Sequence, residues 1–403
     1  MLRVACRTDP GKKRIHNEDA FLALAEDGLF VVADGVGGRA AGEVASALCI
    51  DVFRSASATL RERARIYLEN ATPAARNTVL AAMDDACQLA SKKVYETAEA
   101  EGKSGMTTTV VVILLAGTTA FIAHVGDSRA YLARMEELKQ LTEDHSMVNE
   151  LIRAGKMTAA EAKTSRHRHV ITRAIGLYPT VQPSLASVDL MPGDRLVLCS
   201  DGLSDVVRPE RVQTLTLTGD PETAAGALID AALEAGGPDN VTVVLVDPEG
   251  RTATDEATLR ARVLEHLFLF EDMPYGNRLQ VSRILREHYF APGECLVSEG
   301  TPGDAMFVIL DGEVMVTSGG VELARLGPGE HFGELALADQ LPRSASVVAA
   351  TFGGAISITA EDLQEFCQRE PVLGNSLLWK LLKVLGKRLR QTNARVSTTN
   401  ALP

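Results

Sequence analysis

Acidic residues stand beside Gly, Asn or Ser at four places where an apolar run stops. These runs are RIHNEDA at 14–20, VADGVGG at 32–38, CSDGLSD at 199–205 and GPDNVTVV at 237–244. A carboxylate at a strand end, beside a backbone that turns sharply, is what a hard cation needs. Clustered carboxylates repel one another unless cations lie between them. One acidic turn alone would be an ordinary solvated turn, but four in this order indicate a divalent metal site.

The order and spelling of these runs resemble the bacterial form of the metal-dependent protein serine/threonine phosphatases, the type 2C family. Further similar runs are MTTTVVV at 106–112 and HVGDSRAY at 124–131, followed by LTEDHS and ITRAIG. The resemblance covers roughly residues 1–247. It implies hydrolysis of phosphoserine and phosphothreonine on proteins by a metal-activated water.

The resemblance also implies which residues hold the metal ions. Asp34 and the carbonyl of Gly35 match a position that bridges two cations, and Glu18 matches a ligand of one of them. Asp201 and Asp239 match the two ligands of the other cation. Asp127 matches a position that, together with Asp201, holds a weaker third cation. A shell made only of oxygen atoms suits Mn²⁺ or Mg²⁺ and not zinc. Two cations about 4 Å apart lower the pKa of a shared water, so no protein nucleophile is required.

Other residues of the same motifs are predicted to act on the phosphate and its leaving group. Arg14 matches the family's phosphate-binding arginine, whose planar fork pairs with two phosphate oxygens. Asp19 is expected to orient a water as a hydrogen-bond acceptor. Val36 stands where eukaryotic members have a histidine that is thought to protonate the leaving alcohol. Bacterial members commonly lack this histidine, so the leaving group would take its proton from a metal-bound water or from another group. His145 and His169 are candidates for that group, although a structural or exposed role is the simpler interpretation of each.

A second resemblance covers roughly residues 267–396 and points to a cyclic-nucleotide-binding domain. The run FGELALADQLPRSASVVA at 332–349 resembles its phosphate-binding cassette. Glu334 would accept hydrogen bonds from the ribose hydroxyl, and Arg343 would pair with the cyclic phosphate. Gly333 and Leu335 belong to the turn whose backbone N–H groups would form an anion site. Ser344 directly follows the arginine, as in some cyclic AMP receptors, so cyclic AMP is favoured over cyclic GMP.

The C-terminal segment 377–391 is predicted to be an amphipathic helix that closes over the nucleotide. Its apolar stripe is expected to consist of Leu378, Leu381, Leu382, Leu385 and Leu389. By resemblance this helix can also form a homodimer, and the residues that fall where related receptors contact the base are Thr392 and Asn393.

The predicted fold class is α+β. The resemblance implies an N-terminal α-β-β-α sandwich, with two antiparallel sheets flanked by helices, over 1–247. A linker over 248–266 and a C-terminal β-barrel of the jelly-roll type with flanking helices over 267–403 complete the predicted domain organisation. Spacing of apolar residues predicts helices over 43–53, 78–100, 259–270 and 278–288. The segment 135–173 is polar and irregular, and the resemblance identifies it as a mobile flap.

Bulk composition excludes several other classes of function. The chain has 403 residues, a formal net charge of -12, 46% hydrophobic residues and six scattered cysteines without a CxxC pair. This composition is typical of a cytoplasmic protein with reduced thiols and opposes nucleic-acid binding as the main role. The uncharged run over 107–126 is as long as a membrane span, but it is rich in Thr and Val and is interrupted at AGTT. It is therefore predicted to be a buried β-hairpin and not a membrane helix.

Three functions remain open from the sequence. The leading one is a protein phosphatase that acts on phosphorylated proteins and is regulated by a cyclic nucleotide. The second is a non-catalytic sensor or scaffold that binds phosphoproteins or cyclic nucleotides. The third keeps catalysis but makes the C-terminal domain a constitutive dimerisation or docking module.

Overall fold

The computed structural model describes residues 2–37, 41–103, 105–134, 137–191, 193–248, 267–337 and 341–399, and omits the side chains of 159, 163, 387–389 and 391–399. The chain divides into two compact units. The first comprises Met1–Thr258 and Pro274–Gln280, and the second comprises Leu259–Met273 and Val281–Pro403. Most of the predicted linker lies outside the described residues, so the predicted domain boundaries stay a prediction.

Two antiparallel sheets form the centre of the first unit. Their strands in chain order are β1 (Leu2–Asp9), β2 (Asp19–Leu24), β3 (Leu29–Val36), β4 (Thr107–Thr108), β5 (Val110–Ala116), β6 (Thr119–Val125), β7 (Arg129–Arg134), β8 (Glu137–Gln140), β9 (Ser184–Asp189), β10 (Arg195–Cys199) and β11 (Val241–Pro248). One sheet has the order β2-β3-β5-β6-β9, with β4 paired to β3. The other has the order β1-β11-β10-β7-β8.

Helices cover the outer faces of both sheets. They are α1 (Ala41–Glu69), α2 (Pro73–Glu101), α3 (Met147–Arg153), α4 (Ala159–Thr164), α5 (Asp201–Ser204), α6 (Pro209–Thr216) and α7 (Pro221–Glu234). Helices α1 and α2 share a core with the first sheet, and α6 and α7 share one with the second. Helix α2 extends beyond the predicted 78–100 because Thr72 caps its first turn and Gly102 ends it in the left-handed conformation.

The uncharged run over 107–126 forms the predicted hairpin. Every residue of β5 and of β6 is buried, and the two strands pair from Val110–Val125 to Ala116–Thr119. Complete burial on both faces explains why the run carries no charge. Across the described ranges, each helix is too short or too polar to span a lipid bilayer.

The second unit contains two four-stranded antiparallel sheets, in the orders β12-β19-β14-β17 and β13-β18-β15-β16. Its strands are β12 (Arg286–Phe290), β13 (Cys295–Val297), β14 (Ala305–Asp311), β15 (Val314–Ser318), β16 (Val321–Leu326), β17 (His331–Phe332), β18 (Ser346–Ala349) and β19 (Gly353–Thr359). Two helices of this unit follow the strands: α9 (Ala360–Arg369) and α10 (Pro371–Thr399). Helix α8 (Tyr275–Ser282) lies mostly within Pro274–Gln280, which is assigned to the first unit. The α+β fold class, with two β-rich regions of the predicted kinds, is confirmed.

Two predicted elements of this region are wrong in part. The helix predicted over 278–288 ends at Ser282, and 286–290 pair with β19 instead. Pairing with a strand about seventy positions later overrides the local helical spacing. In α10 the buried leucines are Leu373, Leu377 and Leu381, whereas Leu378 and Leu382 of the predicted stripe are exposed. The side chain of Leu389 lies outside the described residues.

Candidate active site and nucleotide site

The first acidic motifs meet because β2 and β3 are neighbours. Asp19, the first residue of β2, pairs in register with Asp34 of β3. The backbone carbonyl of Glu18 accepts a hydrogen bond from the Gly35 N–H at 3.1 Å. A Cβ atom on Gly35 would lie 2.1 Å from the carbonyl oxygen of Gly42, so only glycine allows this close approach. Both halves of the predicted bridging position therefore lie beside Glu18.

Hydrogen bonds to Asp19 connect these strands to the other sheet. Its Oδ2 accepts hydrogen bonds from the hydroxyls of Ser200 and Thr242, both at 2.7 Å. Asn240 adds a further connection, since its Oδ1 accepts the Glu18 N–H at 2.7 Å. The motifs that contain Asp201 and Asp239 are thereby brought to the ends of β2 and β3.

Ser200, Asn240 and Thr242 are functional neighbours that the sequence analysis did not single out. Each lies inside or directly beside an acidic motif that it did identify. Their position within the motifs could have drawn attention to them. Their hydrogen-bond partners, however, are about two hundred positions away in the sequence, and only the fold brings them to 2.7 Å.

The clustered carboxyl groups raise one another's pKa. Burial is the main reason that the pKa of Asp34 lies well above its usual value, followed by the charges of Asp19, Asp201 and Asp127. Burial and the charge of Asp127 raise the pKa of Asp201 to about 8. Burial raises the pKa of Asp127 to about 6, and the charge of Asp144 adds to it. Asp34 and Asp201 are also within hydrogen-bonding distance of each other. Such a cluster must take up either protons or cations.

The residues present fit divalent cations. Oδ1 of Asp19 is buried and has no hydrogen-bond partner among the described residues. Among the described residues, no group of three His, Cys, Asp or Glu side chains lies close enough together to hold a metal ion. Asp34 and Asp201 lie within hydrogen-bonding distance of each other, and Asp239 pairs with Arg14. An all-oxygen donor set is the kind that Mn²⁺ and Mg²⁺ prefer.

Arg14 lies directly against this cluster. Its guanidinium donates a hydrogen bond to Oδ2 of Asp239 at 2.7 Å, and its side chain is 49% exposed. This hydrogen bond is the main reason that the pKa of Arg14 is raised. A half-exposed guanidinium at the edge of the predicted cation site can reach a phosphate from solvent.

Asp127 and the start of the predicted flap are fixed to each other by buried polar contacts. The Gly126 N–H donates to Nδ1 of His145 at 3.1 Å, and the His145 N–H donates to the Gly126 carbonyl at 2.9 Å. Arg129 donates three hydrogen bonds to the carboxylate of Asp144, the shortest at 2.6 Å. The ring of His145 stacks on that of His124 at a centroid distance of 4.6 Å. His145 is therefore structural, and it is buried too deeply to protonate a leaving group.

The second unit brings Glu334 and Arg343 together around a tight turn. Gly333 has a φ of 77°, and Glu334 starts a short 3-10 helix over Glu334–Leu337 and is 6% exposed. A Cβ atom on Gly333 would lie 2.5 Å from Nη1 of Arg343. The turn therefore requires glycine beside the arginine.

Arg343 is a buried cation with weak local compensation. Its side chain is 8% exposed, and burial lowers its pKa. Within the described residues its contacts are long: 3.7 Å to the exposed carboxylate of Asp304 and 3.5 Å to the Gly333 carbonyl. Leu335 and Ser344 are exposed. The side chains of Thr392 and Asn393 lie outside the described residues.

Comparison with known proteins finds a matching family model in each of the two units. Residues 11–241 match the family model for protein phosphatase 2C, and residues 287–370 match that for the cyclic nucleotide-binding domain. Serine/threonine protein phosphatase PstP of Mycobacterium tuberculosis is 40% identical over 248 residues, which are 61% of this chain and 45% of that protein. Protein phosphatase PhpP of Streptococcus pneumoniae is 33% identical over 61% of this chain and 97% of its own length. This chain thus spans less than half of the length of the mycobacterial relative.

Solved structures give the same result for the first unit. The crystal structure of the Mycobacterium tuberculosis phosphatase PstP/Ppp has a TM-score of 0.54 at 39% identity, covering 62% of this chain and 99% of that one. The catalytic domain of PstP in complex with two manganese ions has a TM-score of 0.52 at 38% identity, covering 61% and 97%.

Proposed function

This chain belongs to the protein phosphatase 2C family, and from that premise we propose that it hydrolyses phosphoserine and phosphothreonine on proteins in the presence of Mn²⁺ or Mg²⁺. The observation that carries the proposal is the group of carboxylates with raised pKa values at the meeting point of two sheets. Such a group is costly to bury unless cations neutralise it.

Each functional residue of the site has a proposed task. The residues that would hold the cations are Glu18, Asp34, Asp127, Asp201, Asp239 and the carbonyl of Gly35. When bound, the cations supply a water of lowered pKa and offset the charge of the phosphate. Arg14 would exchange its contact with Asp239 for two phosphate oxygens. Asp19, held by Ser200 and Thr242, would accept a hydrogen bond from the attacking water and so orient it.

The second unit is proposed to bind a cyclic nucleotide that regulates this activity. Within the described residues the buried guanidinium of Arg343 makes only long polar contacts, which is costly unless an anion pairs with it. A cyclic phosphate is such an anion. Glu334, at the start of the adjacent turn, would accept hydrogen bonds from the ribose. Cyclic AMP is favoured because Ser344 follows the arginine. A cytoplasmic location, which the scattered cysteines favour, belongs to the same proposal.

The first test is hydrolysis by the full chain of p-nitrophenyl phosphate and of a phosphothreonine peptide, with Mn²⁺ and with EDTA. We expect hydrolysis of both substrates in Mn²⁺ and none in EDTA. Lack of hydrolysis in Mn²⁺ would favour the non-catalytic sensor instead.

The second test adds cyclic AMP or cyclic GMP and measures Tm and the rate of hydrolysis. We expect cyclic AMP to raise Tm and to change the rate, with a coupling free energy of about 1–3 kcal/mol. Arg343→Ala should lose both responses. Arg325→Ala is the matched control, since the ion pair that Arg325 makes with Glu322 lies at the surface. No rise in Tm and no change in rate with either nucleotide would favour a constitutive docking or dimerisation module.

A further inference from the structure

The proposed reaction leaves one chemical task without a residue. An alkoxide of serine or threonine is a poor leaving group, so its oxygen must receive a proton as the bond to phosphorus breaks. Val36 cannot donate a proton. This inference rests on the proposed function and concerns the same site.

His169 and Asp205 form a pair at the edge of the carboxylate cluster. Nδ1 of His169 lies 2.9 Å from Oδ2 of Asp205. Asp205 is one helical turn beyond Asp201, and its N–H donates to the Asp201 carbonyl at 2.8 Å. Side chains four positions apart on a helix lie on one face, about 5–6 Å apart at Cβ. The charge of Asp205 accordingly contributes to the raised pKa of both Asp127 and Asp201.

The backbone holds His169 near the site. The next residue, Val170, accepts a hydrogen bond from the Met147 N–H at 2.8 Å. Thr172 donates to the carbonyl of the buried His145, also at 2.8 Å. His169 thus belongs to a segment fixed at its C-terminal side to a buried histidine, while its own side chain remains 55% exposed.

The other histidines of the first unit are less suited to the task. His124 and His145 are 2% and 5% exposed and hydrogen-bonded to structural partners. His167 accepts a hydrogen bond from Arg166 at the surface. His16 is exposed and near Glu18, but among the described residues its ring has no carboxylate within ion-pair distance. His169 alone among these described histidines of the first unit pairs with a carboxylate beside the cluster.

We propose that His169 is the general acid that protonates the leaving alcohol and that Asp205 positions it. In the imidazolium, Nδ1–H donates to Asp205 and Nε2–H donates to the ester oxygen. Attack by water forms the new P–O bond. The electron pair of the breaking P–O bond stays on the serine or threonine oxygen, which takes the Nε2 proton. The products are the free hydroxyl and inorganic phosphate, and the proton lost by the water restores the imidazolium through solvent.

The test compares two kinds of leaving group with the full-length protein in Mn²⁺. A phosphothreonine peptide needs a proton on its leaving oxygen, whereas p-nitrophenolate is stable without one. We expect His169→Asn to reduce kcat for the peptide about 100-fold more than kcat for p-nitrophenyl phosphate. Asp205→Asn should lower the ratio of kcat for the peptide to kcat for p-nitrophenyl phosphate as well, but by a smaller factor. His167→Asn is the matched control from the same segment and should leave the ratio unchanged.

A series of aryl phosphates of graded leaving-group acidity supplies a second readout. With His169 present, kcat should depend weakly on leaving-group acidity, and His169→Asn should make that dependence steep. A structural role would not change this slope. Equal losses on both substrates, or the same change of slope in His16→Gln, would overturn the proposal. Failure of the unaltered protein to hydrolyse p-nitrophenyl phosphate would instead reject the proposed function.

Discussion

At the scale of single residues, the buried carboxyl groups of the site make the stability of the protein depend on pH, because burial disfavours their charged form. The pKa of Asp201, about 8, lies far above the usual pKa of an aspartate. A carboxyl group with a raised folded pKa contributes most to stability below its unfolded pKa, and this contribution is lost as pH rises through the folded pKa. The relevant window therefore runs from about pH 4 to about pH 8.

Asp201→Asn should remove this pH dependence when EDTA is present. Because the amide carries no charge, we expect the variant to exceed the unaltered protein in stability by about 1–3 kcal/mol at pH 8.5, and by little at pH 5. Thermal unfolding in EDTA across this range measures the difference. In Mn²⁺ the order should reverse, since the variant lacks a ligand; an order that is the same in both solutions would contradict the metal assignment.

Arg14→Ala should reduce kcat/KM for a phosphothreonine peptide about 100-fold, because the phosphate loses a two-pronged donor. Arg14→Lys should recover only part of this loss, since an ammonium group is a point charge without the planar fork. Steady-state kinetics in Mn²⁺ measure both. Lys13→Ala, which removes an exposed neighbouring charge, is the control; a similar loss there would reduce Arg14 to a general electrostatic role.

At the scale of elements, the start of β7 and the residues after β8 are connected by a mostly buried ion pair. Arg129 and Asp144 are 22% and 12% exposed at their side chains and are joined through three hydrogen bonds. This pair and the contacts of His145 fix the turn that carries Asp127. The turn that carries Asp127, the residue predicted to hold the weaker third cation together with Asp201, is thus supported by residues of the predicted flap.

Asp144→Ala should destabilise the protein by about 3–5 kcal/mol, because it leaves the Arg129 charge largely buried without its partner. The matched control is Asp27→Ala, since Asp27 pairs with Arg61, whose side chain is 60% exposed. An exposed pair is expected to contribute about 1 kcal/mol or less. Urea unfolding measures the free energy of unfolding of both variants. Equal decreases would show that the Arg129–Asp144 pair stabilises the protein no more than an exposed ion pair does.

At the scale of the whole molecule, each unit has a hydrophobic core of its own. A ligand that binds only the folded form of one unit stabilises that unit by about 2.7 kcal/mol at one hundred times its Kd. We therefore expect calorimetry to resolve two unfolding transitions, of which Mn²⁺ raises one and cyclic AMP raises the other. Asp201→Asn should reduce only the Mn²⁺ response and Arg343→Ala only that to cyclic AMP. One transition that both ligands shift equally would contradict separate cores.

The sequence alone determined the α+β class, the buried hairpin at 107–126 and the acidic motifs. These features are local. A run of alternating or fully apolar residues, or a carboxylate beside glycine at a strand end, can be recognised in the sequence without knowing which residues it contacts in the fold. The cassette around Glu334 and Arg343 was identified from the sequence by its resemblance to the phosphate-binding cassette of cyclic-nucleotide-binding domains, which is likewise a continuous local run of residues.

The tertiary structure decided whatever depends on partners distant in the sequence. Only the fold shows that Ser200 and Thr242 hold Asp19, that 286–290 form a strand against β19 and that Asp205 faces His169. It also decides that α10 buries Leu377 and exposes Leu378. The spacing of apolar residues shows that a helix has an apolar face. Two neighbouring stripes of leucine on this helix, however, have nearly equal hydrophobicity. Which of them is buried depends on the surface against which the helix packs.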